Sequence, residues 1–255
     1  MKLITWNVNG IRALEKKGEL ENFIQKYNPD IFFIQETKAK NGQLEHIIEK
    51  YDDYVQFYSD AEKAGYAGTG IWVKKPVQDD LSFYYDLPEY DDKEGRVCRI
   101  DFEDNAFLGV YFPNGGKSKE AWEDKLVFYD RFLSYVNKLR KEGKNVIFTG
   151  DINCAHNEID LARPQDNDGK VGFHPKERAW VDNVESNDWI DVFRHLYPDK
   201  VVYSWWSLRT RARERDVGWR LDYFFTDKKL LEKVKNIEYL SEQMGSDHCP
   251  LLMEI

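Results

Sequence analysis

Short apolar segments that are too brief for helices constrain the fold of this chain of 255 residues more than any other feature. At least ten of them have the length and composition of β-strands, and helical patterns lie between them. Many neighbouring segments are joined by connections too short for a parallel crossover, which predicts sheets of mixed direction. So many strands fit poorly into one twisted sheet. We therefore predict an α/β fold with two packed mixed β-sheets flanked by helices. The strand candidates cover residues 2–8, 30–35, 54–58, 70–74, 96–102, 106–112, 145–149, 201–206, 221–226, 234–240 and 250–255.

Composition sets further limits. No repeat or low-complexity linker marks a boundary, so we predict one domain over residues 1–255. The 37 Lys and Arg against 46 Asp and Glu give a net charge of −9, which argues against non-specific coating of nucleic acid but not against a local basic face. The first strand turns polar at Asn7, so we expect neither a signal peptide nor a membrane span. Cys98, Cys154 and Cys249 are odd in number and widely spaced, which predicts free thiols in a reducing, cytoplasmic compartment.

The strand candidate at residues 145–149 leads through Gly150 to Asp151 and Asn153. Residues two apart in extended backbone point to the same side. A carboxylate and an amide placed in this way could hold one water, with the carboxylate accepting its proton and the amide fixing its orientation. An Asx-rich turn that only closes a core strand would contain the same residues.

Other strand candidates also end in polar residues, which strengthens the catalytic interpretation. They carry Asn7, Glu36, Tyr111 with Asn114, Asp247 with His248, and Asp222 beside Leu221. Carboxylates and amides without paired Cys or clustered His suit Mg²⁺ or Mn²⁺ rather than Zn²⁺. Hard cations of this kind are typical of phosphate-ester hydrolysis. An Asp in an apolar strand needs a partner, and for Asp222 we expect that partner to be His248.

Two loops could meet phosphate groups. The small residues at 65–70 could let backbone N–H groups approach a phosphate, although a plain hairpin loop explains them as well. Residues 209–220 contain five Arg against one Glu and one Asp, a local charge of +3. Arginines two apart on an extended loop could face DNA together, whereas a solvated loop is the ordinary outcome for such a run.

Six motifs occur in the order found in the exonuclease III type of AP endonucleases, within the endonuclease/exonuclease/phosphatase superfamily, and the chain resembles that family over nearly its whole length. They are Trp6-Asn7-Val8-Asn9-Gly10, Gln35-Glu36-Thr37-Lys38, Tyr111-Phe112-Pro113-Asn114, Gly150-Asp151-Ile152-Asn153, Gly218-Trp219-Arg220-Leu221-Asp222-Tyr223 and Gly245-Ser246-Asp247-His248. The resemblance implies a four-layer α/β sandwich with its site at one end of the two sheets. It also implies a monomer that binds Mg²⁺, with Mn²⁺ able to substitute. Its reaction would be hydrolysis of double-stranded DNA 5′ to an abasic site, leaving a 3′-hydroxyl. Some 3′→5′ exonuclease activity is expected, and incision at damaged or uracil-containing nucleotides is an open question.

The resemblance also implies roles for individual residues. The catalytic set would be Asp151, Asn153, His248, Asp222 and Tyr111, and the metal site would be Glu36 with Asn7 and Asp247 close to the ion or to its waters. Asp151 would orient or deprotonate the attacking water, and His248 would stabilise the charge that develops on phosphorus oxygens. Substrate contacts would come from Asn114, Lys117, Tyr66, Arg12 and Arg209, and the pocket for the flipped-out sugar from Trp205, Trp219 and Leu221. An apolar pocket suits a sugar that carries no base.

Three positions depart from the family pattern. Asn9 replaces an Asp found in many relatives, Lys117 stands where some have Arg, and Arg209 stands where some have an apolar wedge residue. Two other functions stay open at this point. A phosphatase or sphingomyelinase-like enzyme would keep Glu36 and Asp151 without needing the Arg-rich loop or the Trp pocket. A DNA-binding module without catalysis would show losses at the metal and water positions, and all of these are intact.

Overall fold

Two six-stranded sheets of mixed direction form the centre of the protein in the computed structural model, which describes residues 1–76, 81–85 and 87–255. The first sheet contains β1 (Lys2–Asn7), β2 (Ile31–Gln35), β3 (Tyr54–Ser59), β4 (Thr69–Lys74), β11 (Asn236–Tyr239) and β12 (Leu251–Glu254). The second contains β5 (Ser82–Tyr84), β6 (Val97–Phe102), β7 (Asn105–Tyr111), β8 (Asn145–Asp151), β9 (Ile190–Asp191) and β10 (Asp222–Thr226). Their spatial orders are β11-β12-β1-β2-β4-β3 and β5-β6-β7-β8-β10-β9.

Helices surround the two sheets. They are α1 (Ile11–Lys16), α2 (Glu19–Tyr27), α3 (Glu45–Lys50), α4 (Lys119–Lys141), α5 (Pro164–Asn167), α6 (Pro175–Ser186), α7 (Val192–Leu196) and α8 (Lys228–Leu231). The helices α1, α2 and α3 pack on the first sheet, and α4 and α6 pack on the second. This helix–sheet–sheet–helix arrangement confirms the predicted four-layer α/β sandwich. Among the described helices, none combines the length and hydrophobicity needed to cross a bilayer.

Strand alternation sorts the side chains between the layers. In β1, Leu3 lies in the core between the sheets, whereas Ile4 lies in the core under the helices. In β8, Ile147 faces the other sheet and Phe148 faces the helices. Continuing the alternation to the strand ends turns Asn7 and Asp151 inward. The core between the sheets therefore changes from apolar to polar at one edge.

The polar strand ends lie at the same edge because the strands that carry them run in the same direction within each pair. β1 pairs in parallel with β2, and β7 pairs in parallel with β8, so their carboxyl ends lie together. β10 runs antiparallel and begins at the same edge, where Asp222 pairs in register with Asp151. Gly150 permits the close approach of β8 to β7, since a Cβ on it would lie 1.9 Å from the Val110 carbonyl oxygen. Polar residues far apart in the chain thus meet at one end of the sandwich.

Several local expectations were wrong. Residues 201–206 form no strand, and Trp205 makes only isolated bridges to Trp219 and His248. The strands β5 and β9 were missed because they are only three and two residues long. Ser118 caps α4, its side-chain oxygen accepting from the Ala121 N–H at 3.2 Å. The buried stripe of α4, however, includes Lys125, a position that apolar periodicity overlooks.

Candidate active site

A cleft of about 300 Å³ opens at the shared strand edge. Ten of its lining residues were predicted from the sequence, and Val171 and Gly172 were not. The full lining is Glu36, Tyr111, Asn114, Asp151, Asn153, Val171, Gly172, Trp205, Trp219, Leu221, Asp247 and His248. Two more predicted residues, Asn7 and Asp222, lie directly behind this lining and are fully buried.

Asn7 joins the carboxylates of the two sheets. Its Nδ2 donates to Glu36 Oε1 and to Asp151 Oδ2, both at 2.9 Å. Its Oδ1 accepts from the Asn9 backbone N–H at 3.1 Å, which directs the amino group rather than the oxygen toward the carboxylates. One buried amide therefore sets the distance between Glu36 of the first sheet and Asp151 of the second.

Lys38 is a contact that sequence reasoning missed. Its Nζ lies 2.6 Å from Glu36 Oε2 and donates to Asn9 Oδ1. Asn9 Nδ2 donates in turn to Asp247 Oδ1 at 2.8 Å. Lys38 belongs to the motif Gln35-Glu36-Thr37-Lys38, but the sequence analysis gave it no role. This chain of contacts connects Glu36 with Asp247 across the mouth of the cleft.

His248 is held between two carboxylates. Its Nδ1 lies 2.8 Å from Asp222 Oδ2, and its Nε2 lies 3.7 Å from Asp151 Oδ2. Burial lowers the pKa of His248, but the negative charges of Asp222 and Asp151 outweigh burial and raise that pKa to about 10. The imidazole is therefore protonated at neutral pH and places a buried positive charge at the cleft. The predicted partnership of Asp222 and His248 is present.

Asp151 and Asn153 form a compact turn at the end of β8. The Asn153 N–H donates to Asp151 Oδ1 at 2.8 Å, and Asn153 adopts a φ of 52°. The Asx turn considered for this segment is therefore present, and it places the Asp151 carboxylate beside Asn153. Burial raises the pKa of Asp151 to about 7, against the opposing effect of the His248 charge. Asn114 Nδ2 donates to Asn153 Oδ1 at 3.0 Å and brings a second amide to the same place.

Tyr111 completes the polar side of the cleft. Burial, together with the charges of Glu36 and Asp151, raises the pKa of Tyr111 well above its ordinary value, so the phenol keeps its proton. Arg96 lies over the Tyr111 ring at 4.8 Å and donates to the Tyr111 carbonyl at 2.9 Å. The protonated hydroxyl can therefore donate a hydrogen bond in the cleft.

An apolar pocket adjoins these polar groups. Trp205 and Trp219 meet edge to face with ring centroids 6.4 Å apart, and Leu221 packs with them in a small separate cluster. Trp205 Nε1 donates to Asp247 Oδ2 at 3.1 Å, which couples the pocket wall to a cleft carboxylate. Gly172 forms the opposite wall, where a Cβ would lie 3.2 Å from Trp219 Cζ3.

Comparison with known proteins decides the family. The family described as Endonuclease/Exonuclease/phosphatase family matches residues 4–248. The chain belongs to this family. It is 39% identical over 253 residues to an exodeoxyribonuclease of Bacillus subtilis (strain 168), covering 98% of each chain. It is 35% identical over 257 residues to the DNA repair nuclease APEX1 of Danio rerio, covering 99% of this chain and 81% of the relative.

Solved structures agree with this assignment. The AP endonuclease LMAP from Leishmania major matches with a TM-score of 0.87 and 29% identity, over 99% of this chain and 86% of that one. An AP endonuclease from Archaeoglobus fulgidus matches with a TM-score of 0.86 and 27% identity, over 100% and 99%. Within the endonuclease/exonuclease/phosphatase family, this chain is a DNA repair nuclease of the exonuclease III type.

Four predicted substrate residues of this nuclease lie outside the cleft lining. Arg12, Tyr66, Lys117 and Arg209 are all exposed. Arg12 Nη2 lies 3.5 Å from the Lys38 carbonyl oxygen, near the Glu36 side of the mouth. Lys117 follows the cleft residue Asn114 by three positions. The structure leaves these side chains accessible without bringing them to the carboxylates.

The Arg-rich loop differs from its predicted form. It folds into two 3₁₀ turns, Leu208–Thr210 and Ala212–Arg215, and is not extended. Arg213 donates to the carbonyls of Ser241 and Gln243 at 2.5 and 2.7 Å, so its guanidinium is occupied within the protein. Arg220 is fully buried and paired with Asp160 and Asp191. Because Arg213 is hydrogen-bonded within the protein and Arg220 is buried, this loop offers fewer free guanidinium groups to DNA than its sequence predicts.

A second group of potential metal ligands lies away from the cleft. His156, Asp182 and Glu185 have ligand atoms within 4.8 Å of one another. His156 Nε2 lies 2.7 Å from Asp182 Oδ1, and Asn157 Nδ2 lies 3.0 Å from His156 Nδ1. With Nδ1 accepting from Asn157, the ring proton sits on Nε2 and faces Asp182. This hydrogen bonding is that of a histidine–carboxylate pair.

Proposed function

We propose that this nuclease hydrolyses double-stranded DNA on the 5′ side of an abasic site, in a Mg²⁺-dependent reaction that leaves a 3′-hydroxyl. One observation carries the proposal. A single cleft holds buried carboxylates and an imidazolium on one side and a Trp-lined apolar pocket on the other. The names of the relatives, DNA repair nuclease APEX1 and AP endonuclease LMAP, support the same substrate.

The cleft fits a hard cation. Glu36 and Asp247 present carboxylate oxygens to it, and among the described lining residues there is no cysteine. Such oxygen donors select Mg²⁺, with Mn²⁺ able to substitute. We propose that Glu36 and Asp247 hold the ion and that Asn7, whose amino group faces the carboxylates, orients Glu36 rather than ligating. When bound, the ion supplies Lewis-acid polarisation of a phosphate oxygen.

The protein groups around it have distinct tasks. Asp151 in its ionised form accepts the proton of the attacking water, and its pKa near 7 suits a general base at neutral pH. Asn153, locked to Asp151 through its own N–H, orients that water. His248 donates from its imidazolium to the phosphate oxygen on which negative charge develops. As the water oxygen bonds to phosphorus, the bond from phosphorus to the 3′ oxygen breaks, and a proton from solvent completes the 3′-hydroxyl. Tyr111 and Asn114 hold the scissile phosphate.

The apolar pocket selects the abasic nucleotide. A baseless sugar is extruded from the duplex at lower cost than an intact nucleotide and needs less room. Trp205, Trp219 and Leu221 enclose a space within a cleft of about 300 Å³ that also has to admit a phosphate. We therefore expect incision at uracil-containing or damaged nucleotides to be slower than incision at abasic sites. Removal of 3′-terminal nucleotides would use the same cleft, as the exodeoxyribonuclease relative suggests.

Assembly and location belong to the same proposal. We propose a monomeric enzyme, because one chain supplies a side chain for each task that the proposal assigns. The three cysteines are free and buried, which supports our proposal of a reducing, cytoplasmic location.

The deciding experiment is cleavage of a 5′-labelled duplex with one abasic site, with Mg²⁺ and with EDTA. We expect a single cut 5′ to the abasic site, loss of cleavage in EDTA, and extension of the product by a DNA polymerase, which requires a 3′-hydroxyl. The matched duplex without the lesion controls for general nicking. Equal cleavage of both duplexes would contradict abasic selectivity. Binding without cleavage would favour the DNA-binding module, and hydrolysis of a lipid phosphodiester or phosphomonoester instead would favour the other family activities.

A further inference from the structure

A buried ion pair lies behind the cleft. The side chains of Lys125 in α4 and Glu177 in α6 are fully buried, and the Lys125 ammonium contacts Glu177 Oε1. The proposed chemistry uses neither residue. Burying two charges is costly unless both are fully hydrogen-bonded, so the remaining contacts of the pair show what it holds in place.

The other protons of the Lys125 ammonium form hydrogen bonds with the two turns that carry the cleft amides. Its Nζ donates to the Asn153 carbonyl at 2.8 Å and to the Asn114 carbonyl at 3.2 Å. Its stem packs against Gly115, where a Cβ would lie 2.9 Å from Lys125 Cδ and where φ is +78°. One ammonium thus ties the end of β7 to the end of β8 from behind, while their side-chain amides meet in front.

Glu177 holds the third segment. Its Oε2 accepts from the Gly172 N–H at 2.7 Å and from the His174 N–H at 3.0 Å. Gly172 is the wall that faces Trp219 in the apolar pocket. The pair therefore connects the phosphate-facing amides with the sugar pocket through two charged groups.

We propose that Lys125 and Glu177 are positioning residues that hold Asn114, Asn153 and the Gly172 wall in register with one another. The inference rests on the proposed function, since it assigns these segments to one reaction. A misplacement of about 1 Å in a catalytic arrangement can cost about 10²-fold in rate. Holding three segments by a single buried pair makes their relative positions depend on it.

The first test is the double substitution Lys125→Met with Glu177→Gln, which removes both charges and leaves neither buried alone. We expect the single-turnover rate constant on abasic duplex to fall about 10- to 100-fold, with a smaller rise in the steady-state KM. The control is Arg99→Met with Asp101→Asn, which removes another largely buried pair, 2.6 Å apart, from β6. Both double variants are expected to melt at lower temperature, and the control to keep its kcat. Equal kcat values for the two, measured where both are folded, would overturn the inference.

A second variant decides the question if the first does not fold. Lys125→Arg keeps the charge, but its planar donors cannot reach the same three acceptors. We expect a folded protein with kcat lowered about tenfold or more, and an unchanged kcat would refute positioning. A readout independent of the reaction is the ¹H–¹⁵N signal of the Asn114 and Asn153 side-chain amides. These signals should shift in the Lys125 variants and stay in place in the Arg99 control. If the wild-type enzyme fails to cut abasic DNA, the proposed function falls, while unshifted amide signals would independently overturn the positioning role.

Discussion

The buried network around Asp160 offers a quantitative test of the structure. Asp160 Oδ1 lies 2.7 Å from Arg220 Nε and 2.5 Å from Arg194 Nη2, and its Oδ2 accepts from the Asn157 N–H at 2.9 Å. Burial raises the pKa of Asp160, but the charge and hydrogen bonds of Arg220 outweigh burial and lower that pKa from 3.8 to about 2. At about 1.36 kcal/mol per pH unit, the ionised form contributes about 2 kcal/mol to the free energy of unfolding.

The direction of the pH dependence of stability follows from the lowered pKa of Asp160. A carboxylate whose pKa is lower in the folded state stabilises the fold above its unfolded pKa, and this contribution is lost as pH falls from about 4 toward 2. Asp160→Asn keeps the side-chain shape and removes the charge. Arg220 keeps its contact with Asp191 at 2.7 Å, so the loss should lie near the lower end of the range for a broken buried pair, about 3 kcal/mol at pH 7.

The assay is urea unfolding followed by circular dichroism, at several pH values between 7 and 2.5. We expect the difference between wild type and Asp160→Asn to be largest at pH 7 and to shrink as pH falls below 4. Glu158→Gln, an exposed position in the same 3₁₀ turn, is the control and should change stability by less than about 0.5 kcal/mol. A difference at pH 7 below about 1 kcal/mol, or one that does not vary with pH, would refute this account of the network.

Four further predictions concern the cleft and the Arg-rich loop. Glu36→Gln should weaken Mg²⁺ binding, measured by titration calorimetry, and the activity of this variant should partly recover at raised Mg²⁺ or Mn²⁺. An unchanged affinity for Mg²⁺ would show that Glu36 is not a ligand of the ion. Asp151→Asn should bind abasic duplex normally but lose about 10²–10⁴-fold in single-turnover kcat, and a loss below tenfold would exclude it as the base. Arg209→Ala should cost roughly 1–3 kcal/mol on abasic duplex and less on intact duplex, measured with Ca²⁺ in place of Mg²⁺, whereas equal losses would make Arg209 a phosphate contact. Arg213→Ala, which breaks contacts within the protein, should lower thermal stability and leave the salt dependence of DNA binding unchanged. If the slope of log K against log salt concentration fell by about one instead, Arg213 would be a contact to a DNA phosphate.

Strand patterns carried much of the site prediction. Alternation along β1 and β8 turns Asn7 and Asp151 to the same interior, and the parallel pairs bring the strand ends to one edge. The first effect depends on backbone periodicity, which is local and visible in the sequence, whereas the second depends on which strands pair in the folded protein. Asp222 could also be expected to need a partner, because a carboxylate in an apolar strand is costly when unpaired.

The loops behaved differently because their conformation depends on contacts remote in the chain. Arg213 and Arg220 belong to one charged run, yet the first is bound by carbonyls of residues 241–246 and the second by Asp160 and Asp191. Residues 201–206 have strand composition but lie where only isolated bridges form. Propensity describes a segment, whereas pairing requires a neighbour at the right distance.

By itself, the sequence determined the two-sheet α/β class, the inward turn of the strand-end carboxylates and amides, and the family to which they point. Only the tertiary structure decided that Asn7 bridges Glu36 and Asp151, that Gly172 walls the Trp pocket, and that Lys125 supports the cleft from behind. The physical reason is the separation along the chain between the residues that determine each feature. Strand alternation repeats every two residues and can be read locally, while the partner of a buried charge is selected by distance in space, and Lys125 and Glu177 lie 52 residues apart in the chain.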